Sequence, residues 1–291
     1  MYRLIIEVPE TGNGIMLHPN KDYTIASIEG LNPPPAMISG VPLPISDGQV
    51  FSNSRIDTRS IVLTVYINNP VEANRINLYS IFPVKRLIRL NYSNGIRNVM
   101  AEGYVESFEI SLFAMRQAAQ ITIKCIKPYL ESTDLKIATL DHTSEYFEFP
   151  VNIEDPPGKV MSEERSYAGL KIENGGDIAS GCIIEIESSD KIEDNSPIII
   201  YDEVNRTHMR INTDMYFNTK IRINTNPGQR AVERREVYED TWTNWINYLD
   251  YSSTWLKINP GVNVFSYSVS GKQTTDLLEI KFTYRENFLG V

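Results

Sequence analysis

A chain of 291 residues, 42% of them hydrophobic, is long enough for two domains that each bury a core. Its formal net charge of −9, from 37 acidic and 28 basic side chains, leaves no dense cationic stripe to hold phosphates, which argues against sequence-specific nucleic-acid binding. No run approaches the roughly 20 apolar residues that span a bilayer, so no membrane insertion is expected, and the opening run Met1-Tyr2-Arg3-Leu4-Ile5-Ile6-Glu7-Val8 does not fit a signal peptide.

The 16 Tyr, the many Ile, Val and Thr, and the scattered Gly and Pro favour short strands and turns, so the expected class is mainly β. Residues 2–8, 15–18 and 23–29 read as a meander of three strands. Residues 30–59, rich in Pro (Pro33, Pro34, Pro35, Pro42, Pro44) and poor in periodic signal, read as a long contact loop. The run 60–67 is dense enough in β-branched residues to predict a central strand covered on both faces. Residues 71–82 then place Ile76, Tyr79 and either Leu78 or Phe82 at helical spacing, with Asn69 as N-cap and Pro70 at the first position. Residues 85–92 alternate as a half-buried strand, Asn94-Gly95 signals a hairpin, 99–110 is its partner with Gly103 marking a bulge, and 118–125 returns as a further strand.

After Lys127-Pro128-Tyr129-Leu130 the periodicity fades. Residues 131–165 carry nine acids and a net −6, which places a domain boundary near residue 131. Strand-like runs then recur at 145–149, 168–174, 179–188, 197–201, 209–212, 220–224, 231–237, 264–269 and 277–284, a spacing that predicts a β-sandwich. In Trp255-Leu256-Lys257-Ile258-Asn259-Pro260-Gly261-Val262-Asn263, Pro fixes φ and Gly permits φ > 0, so a tight corner joins two strands. Cys125 and Cys182 each sit in an apolar run, read as small buried hydrophobes, and fall in different domains, so no disulfide is expected.

The order of these features resembles the phage distal tail (Dit) proteins of siphophage type. The resemblance rests on 74–82, on Leu87-Ile88-Arg89-Leu90, on Gly103-Tyr104-Val105-Glu106-Ser107-Phe108-Glu109 and on Cys125-Ile126-Lys127-Pro128-Tyr129-Leu130. In the second half it rests on 179–186, on Ile221-Arg222-Ile223-Asn224-Thr225 and on 255–263. The family implies an N-terminal ring-forming (belt) β-domain with one helix and a hairpin over 1–131 and a C-terminal galectin-like β-sandwich over 132–291. It also implies a homo-oligomeric ring, hexameric in that family, between the tail tube protein and the tail-tip or hub protein. Receptor-binding or side-fibre proteins are further implied neighbours, with the subunit located in the virion tail and assembled in the host cytoplasm.

The residues themselves favour no catalysis and no cofactor. His18, His142 and His208 are distant and outside any metal-ligand pattern, and no nucleophile elbow, phosphate-cradling loop or dinucleotide fingerprint is present. The acid pairs Glu154-Asp155, Glu163-Glu164 and Glu239-Asp240 are adjacent, so on extended chain they point oppositely and read as solvated loops rather than glycosidase carboxylates. Trp242, Trp245, Tyr248, Tyr251 and Trp255 share one face if helical; either they pack onto the sandwich or Trp242, Trp245, Tyr248 and Tyr251 contact glycan or a partner. A carbohydrate-binding module contacting cell-wall glycan is therefore the rival reading. Residues 230–240 carry balanced charge and read as a solvated strand or polar rim, whereas Arg75, Lys85, Arg86, Arg89 and Arg97 against Glu72 make a modestly basic face.

Overall fold

The computed structural model describes residues 2–140, 169–188, 191–192, 197–269 and 278–291. They divide into two compact units, Met1–Asp134 with Asn287–Val291, and Leu135–Glu286. The sequence reading carried the second domain to residue 291, but the last five residues return to the first unit.

The first unit holds β1 (Arg3–Val8), β2 (Asn13–His18), β3 (Tyr23–Glu29), β4 (Ala36–Pro42), β5 (Gln49–Ile56), β6 (Arg59–Ile67), α1 (Val71–Ile81), β7 (Leu87–Ser93), β8 (Asn98–Ile110), β9 (Ala118–Cys125) and β10 (Leu130–Ser132). Its main sheet is antiparallel in the order β2-β1-β7-β8-β9-β6-β3, and the two end strands, consecutive in the chain, come back into contact. Alternation decides what is inside: Leu4, Ile6 and Val8 of β1, Ile61, Leu63, Val65 and Ile67 of β6, and Ile121 and Ile123 of β9 form one core. Each such side chain contributes about 1.5–3 kcal/mol when fully buried. The expectation that β6 is covered on both faces fails, because Val62, Thr64 and Tyr66 stay partly exposed.

Helix α1 closes over this core with Leu78 and Ile81, followed by Phe82. These three lie at i, i+3 and i+4, whereas Ile76 is two residues and about 200° from Leu78 and is 62% exposed. The N-cap is Pro70 rather than Asn69, without a side-chain cap; Asn74 N donates to Pro70 O at 3.1 Å. Tyr23 ties the helix down, its hydroxyl donating to Asn74 O (3.0 Å) and accepting from Asn77 Nδ2 (3.1 Å).

Two further expectations are corrected. Residues 30–59 are not a loop throughout: β4 and β5 pair as a separate two-stranded hairpin, Ala36 opposite Ile56 and Pro42 opposite Gln49. Gly103 is not at a bulge, since it pairs regularly with Ile88 and the register shift lies between Val105 and Ser107. Its role is close approach: a Cβ there would stand 2.7 Å from Ile123 Cγ2 and 2.9 Å from Lys124 O.

The second unit holds β11 (Lys136–Leu140), β12 (Leu170–Asn174), β13 (Cys182–Ser188), β14 (Ile198–Asp202), β15 (Thr207–Ile211), β16 (Lys220–Asn224), β17 (Ala231–Arg235), β18 (Thr243–Asn244), β19 (Gly261–Val269) and β20 (Leu278–Tyr284); β21 (Asn287–Phe288) follows in the first unit. The predicted strand at 145–149 lies outside the described residues. Two antiparallel sheets, β11-β20-β13-β16-β17-β18 and β12-β19-β14-β15, share one core. Ile184, Ile186, Ile221, Ile223, Val232 and Phe282 come from the first, and Ile198, Ile200, Met209, Ile211 and Phe265 from the second, with Phe265 and Phe282 stacked 4.8 Å apart. This is a sandwich, and the chain as a whole is mainly β.

The Pro260-Gly261 corner leads into β19. Gly261 has φ of 85°. Asn263, buried, accepts from Asn259 N (2.9 Å) and donates to Asn259 O (2.7 Å) and Gly261 O (3.2 Å), so one side chain satisfies the corner's backbone.

Candidate functional site

The aromatic segment of the second unit is not helical. After β17 the chain folds back as β18, with Glu233 opposite Asn244 and Arg234 opposite Thr243. It then makes a single 3₁₀ turn, Ile246–Tyr248. Leu249 bridges to Ile211, and beyond it Asp250 N donates to Arg210 O (2.9 Å) and Thr254 N to His208 O (2.8 Å), so the segment runs along the β15 edge.

Trp245 and Tyr248 are brought together, their rings parallel within 6° and 4.1 Å apart. The Trp245 indole donates Nε1–H to Thr213 Oγ1 at 3.1 Å. Beside it lies the Arg234 guanidinium, 4.9 Å from the indole centroid and 4% exposed; it donates to Thr213 Oγ1 (3.0 Å) and Asp214 Oδ1 (3.2 Å), with Nε 2.7 Å from Glu236 Oε1. Residues 230–240 are thus not solvated throughout, because Arg234 is a buried tie between the 213–214 loop and the aromatic segment. Trp242 stands apart, its ring meeting the guanidinium groups of Arg222 at 4.0 Å and Arg235 at 5.1 Å. Arg222 in turn donates to Glu185 Oε1. Tyr251 is exposed at a turn, and Trp255 packs against the sandwich core with Arg230 5.3 Å from its ring. The predicted cluster is therefore a stacked pair, a separate tryptophan whose ring meets two arginines, and an outlying tyrosine.

Asp250 organises the end of this segment. Its carboxylate accepts from Ser252 N (2.9 Å), Ser252 Oγ (2.7 Å) and Asn212 Nδ2 (3.1 Å), and these bonds, with Arg210 nearby, hold its pKa down to about 2. Of the acid pairs, Glu154-Asp155 and Glu163-Glu164 lie outside the described residues, and Glu239 and Asp240 are exposed. His18 stacks on Tyr2 at 4.0 Å, His208 Nε2 lies 3.3 Å from Ser252 Oγ, and His142 is outside the described residues. Among the described residues no group of three or more metal-ligating side chains converges. Cys125 and Cys182 are buried free thiols, pushed by burial up to about 11 and about 12 respectively.

The first unit offers a different kind of surface. On the β4–β5 hairpin Met37, Ile38, Val41, Val50 and Phe51 are exposed, Ile38 by 74% and Phe51 by 65%. The tip joining β8 to β9 exposes Leu112, Phe113 and Met115, and the outer side of α1 exposes Ile76 and Tyr79. The expected basic face is largely neutralised. Arg89 Nη2 is 2.7 Å from Glu102, Arg86 is 3.9 Å from Glu10, and Arg75 pairs with Glu72. Glu10 and Glu102 lie outside the stretch in which the basic residues cluster, and strand pairing brings them in.

No family model matches the chain, and no curated protein sequence matches it. Solved structures do. SPP1 Dit (gp 19.1), described as a paradigm of the hub adsorption apparatus in phages infecting Gram-positive hosts, matches with TM-score 0.65 at 10% identity, covering 98% of this chain and 99% of that one. The chain has the Dit fold. A chain of the phage P2 baseplate in its activated conformation, solved with Ca and again with Sr, also matches, with TM-score 0.51, 13% identity and 98% of each chain covered. At such identities the Dit fold, and not individual residues, is what is shared; it is the fold that the order of sequence motifs resembles.

Proposed function

We propose that this chain is a structural component of a phage tail: a distal tail subunit that closes head to tail into a ring, hexameric as in the family it resembles, joining the tail tube to the tail tip or baseplate hub. The observation that carries this reading is the end-to-end correspondence with Dit, in which both units, in one order, are matched over 98% of the chain. The exposed β4–β5 hairpin supports it, because a two-stranded hairpin alone is at best marginally stable in water, and its edges, which pair with no other strand among the described residues, and its apolar side chains suit a neighbouring subunit. Repetition of one such contact closes a ring when the rotation suits.

The action is geometric rather than catalytic. The first unit forms the collar, and the second presents an attachment surface for receptor-binding or side-fibre proteins. Assembly takes place in the host cytoplasm and the subunit resides in the virion tail. The glycan-binding rival loses support, since the rings of Trp242, Trp245 and Tyr248 each already have a guanidinium group or another ring against them.

Native mass spectrometry and negative-stain microscopy of the purified protein, alone and with its tail tube protein, test the proposal. Rings with a central hole are expected; a monomer under both conditions refutes ring closure.

A further inference from the structure

We infer that two adjacent turns at one end of the second unit, residues 216–219 and 236–239, form a docking surface for a protein segment that carries Lys or Arg around an apolar centre. The pairing of β16 with β17 sets Lys220 opposite Arg235, so the turn entering one strand lies beside the turn leaving the other. Thr219 N donates to Tyr216 O (2.9 Å), and Glu239 N donates to Glu236 O (3.1 Å). Thr219 also joins the two turns, because its hydroxyl accepts from Tyr216 N (3.2 Å) and donates to Glu236 Oε2 (3.4 Å).

The corners of these turns carry the wrong residues for solvent. Turn corners favour Gly, Pro, Asn, Asp and Ser, and only Asn218, with φ of 60°, meets that preference. The others are Phe217, Val237 and Tyr238, exposed by 60%, 37% and 99%, with Tyr216 beside them at 49%. None of the four packs into the sandwich core. At about 150–250 Å² per aromatic ring, the three rings leave roughly 300–500 Å² in water, the size at which a surface patch is often functional. Charge selects the occupant. Residues 213–219 and 236–241 contain Asp214, Glu236, Glu239 and Asp240 and no Lys or Arg. Arg234 pairs with Asp214 and Glu236, which leaves the exposed Glu239 and Asp240 without a cation partner among the described residues. A second copy would set these carboxylates against themselves, whereas a cationic partner is drawn in and oriented by them. Aromatic rings at the centre with charge at the rim are the anatomy of a protein–protein contact.

The inference rests on the attachment role proposed for the second unit, so the probe is the purified receptor-binding protein of the same tail, titrated by biolayer interferometry against the full chain. Phe217→Ala combined with Tyr238→Ala is expected to weaken binding at least ~10-fold, with the melting midpoint unmoved because neither ring is in the core. Glu239→Lys combined with Asp240→Lys is expected to slow association and to flatten its dependence on salt. Parent affinity in the alanine variant, or parent binding that ignores salt, overturns the docking surface and leaves the tail-subunit reading standing. A parent that leaves the probe unbound overturns the inference and the attachment role together. Loss of self-association in the alanine variant would make a second copy the occupant and overturn the inference as well.

Discussion

A guanidinium buried beside an indole, a hydroxyl and two carboxylates has few substitutes, and Arg234 is in that position. Arg234→Met keeps volume but removes the donor to Asp214, one of the two donors to Thr213 and the charge paired with Glu236, so a loss of about 2–4 kcal/mol is expected in chemical denaturation of the second unit. Trp245→Phe keeps the stack on Tyr248 and loses only the bond to Thr213, for roughly 1 kcal/mol. Were these rings glycan ligands instead, Trp245→Phe and Trp242→Ala would reduce retention on cell-wall polysaccharide with the denaturation midpoint unmoved. Asp250 gives a pH test whose sign is fixed. Its folded pKa of about 2 lies below the ~3.9 of a free aspartate. The contribution is therefore complete above pH 4 and lost as pH falls toward 2. Asp250→Asn should flatten that part of the acid limb in a series of thermal melts, and an identical limb in the variant would count against the role given to the Ser252 and Asn212 bonds.

At the scale of elements, the outcome depends on whether a strand has two different faces. β13, β16 and β20 bury alternate residues, so the period of two was plain in the sequence, and all three were found there. β4 and β5 are exposed on both faces, carry no period, and read as loop. β10 and β11 were missed because they are short and sit at the start of an acidic stretch, and their order comes from partners far along the chain, Phe288 and Tyr284 among them. The aromatic run misled for a related reason: spacings of three and four fit a helix, but Trp245 and Tyr248 also meet across one 3₁₀ turn, and Trp242 is held by Arg222 and Arg235 on neighbouring strands. Gly103 was legible as unusual but not as what it is, because the atoms it admits belong to β9. Gly103→Ala must move the Lys124 carbonyl, which is backbone, as well as the Ile123 methyl group. We expect a cost of about 1–3 kcal/mol to the first unit, read as a lower melting midpoint with the second unit unaffected. An unshifted midpoint would mean that β8 and β9 separate freely at this point.

For the whole molecule the question is where assembly energy would come from. Ile38 and Phe51 lie on the β4–β5 hairpin and are largely exposed in the isolated chain, so Ile38→Asp combined with Phe51→Asp touches little of the subunit's own core. Surface changes of that kind usually alter stability by about 0.5 kcal/mol or less each. In a ring the same side chains would be covered by the next subunit, where burial of each contributes about 1.5–3 kcal/mol and an unpaired carboxylate opposes it. A loss of about 3 kcal/mol at one contact weakens that contact by more than ~100-fold, and a ring repeats the loss at every junction. The double variant should therefore melt where the parent melts and run as a monomer by native mass, while Glu239→Lys, on an exposed turn of the second unit, leaves the oligomer intact. Rings that persist with both aspartates in place would show that the hairpin is not the arm, and would move the search to the apolar tip between β8 and β9, where Phe113 and Met115 are exposed.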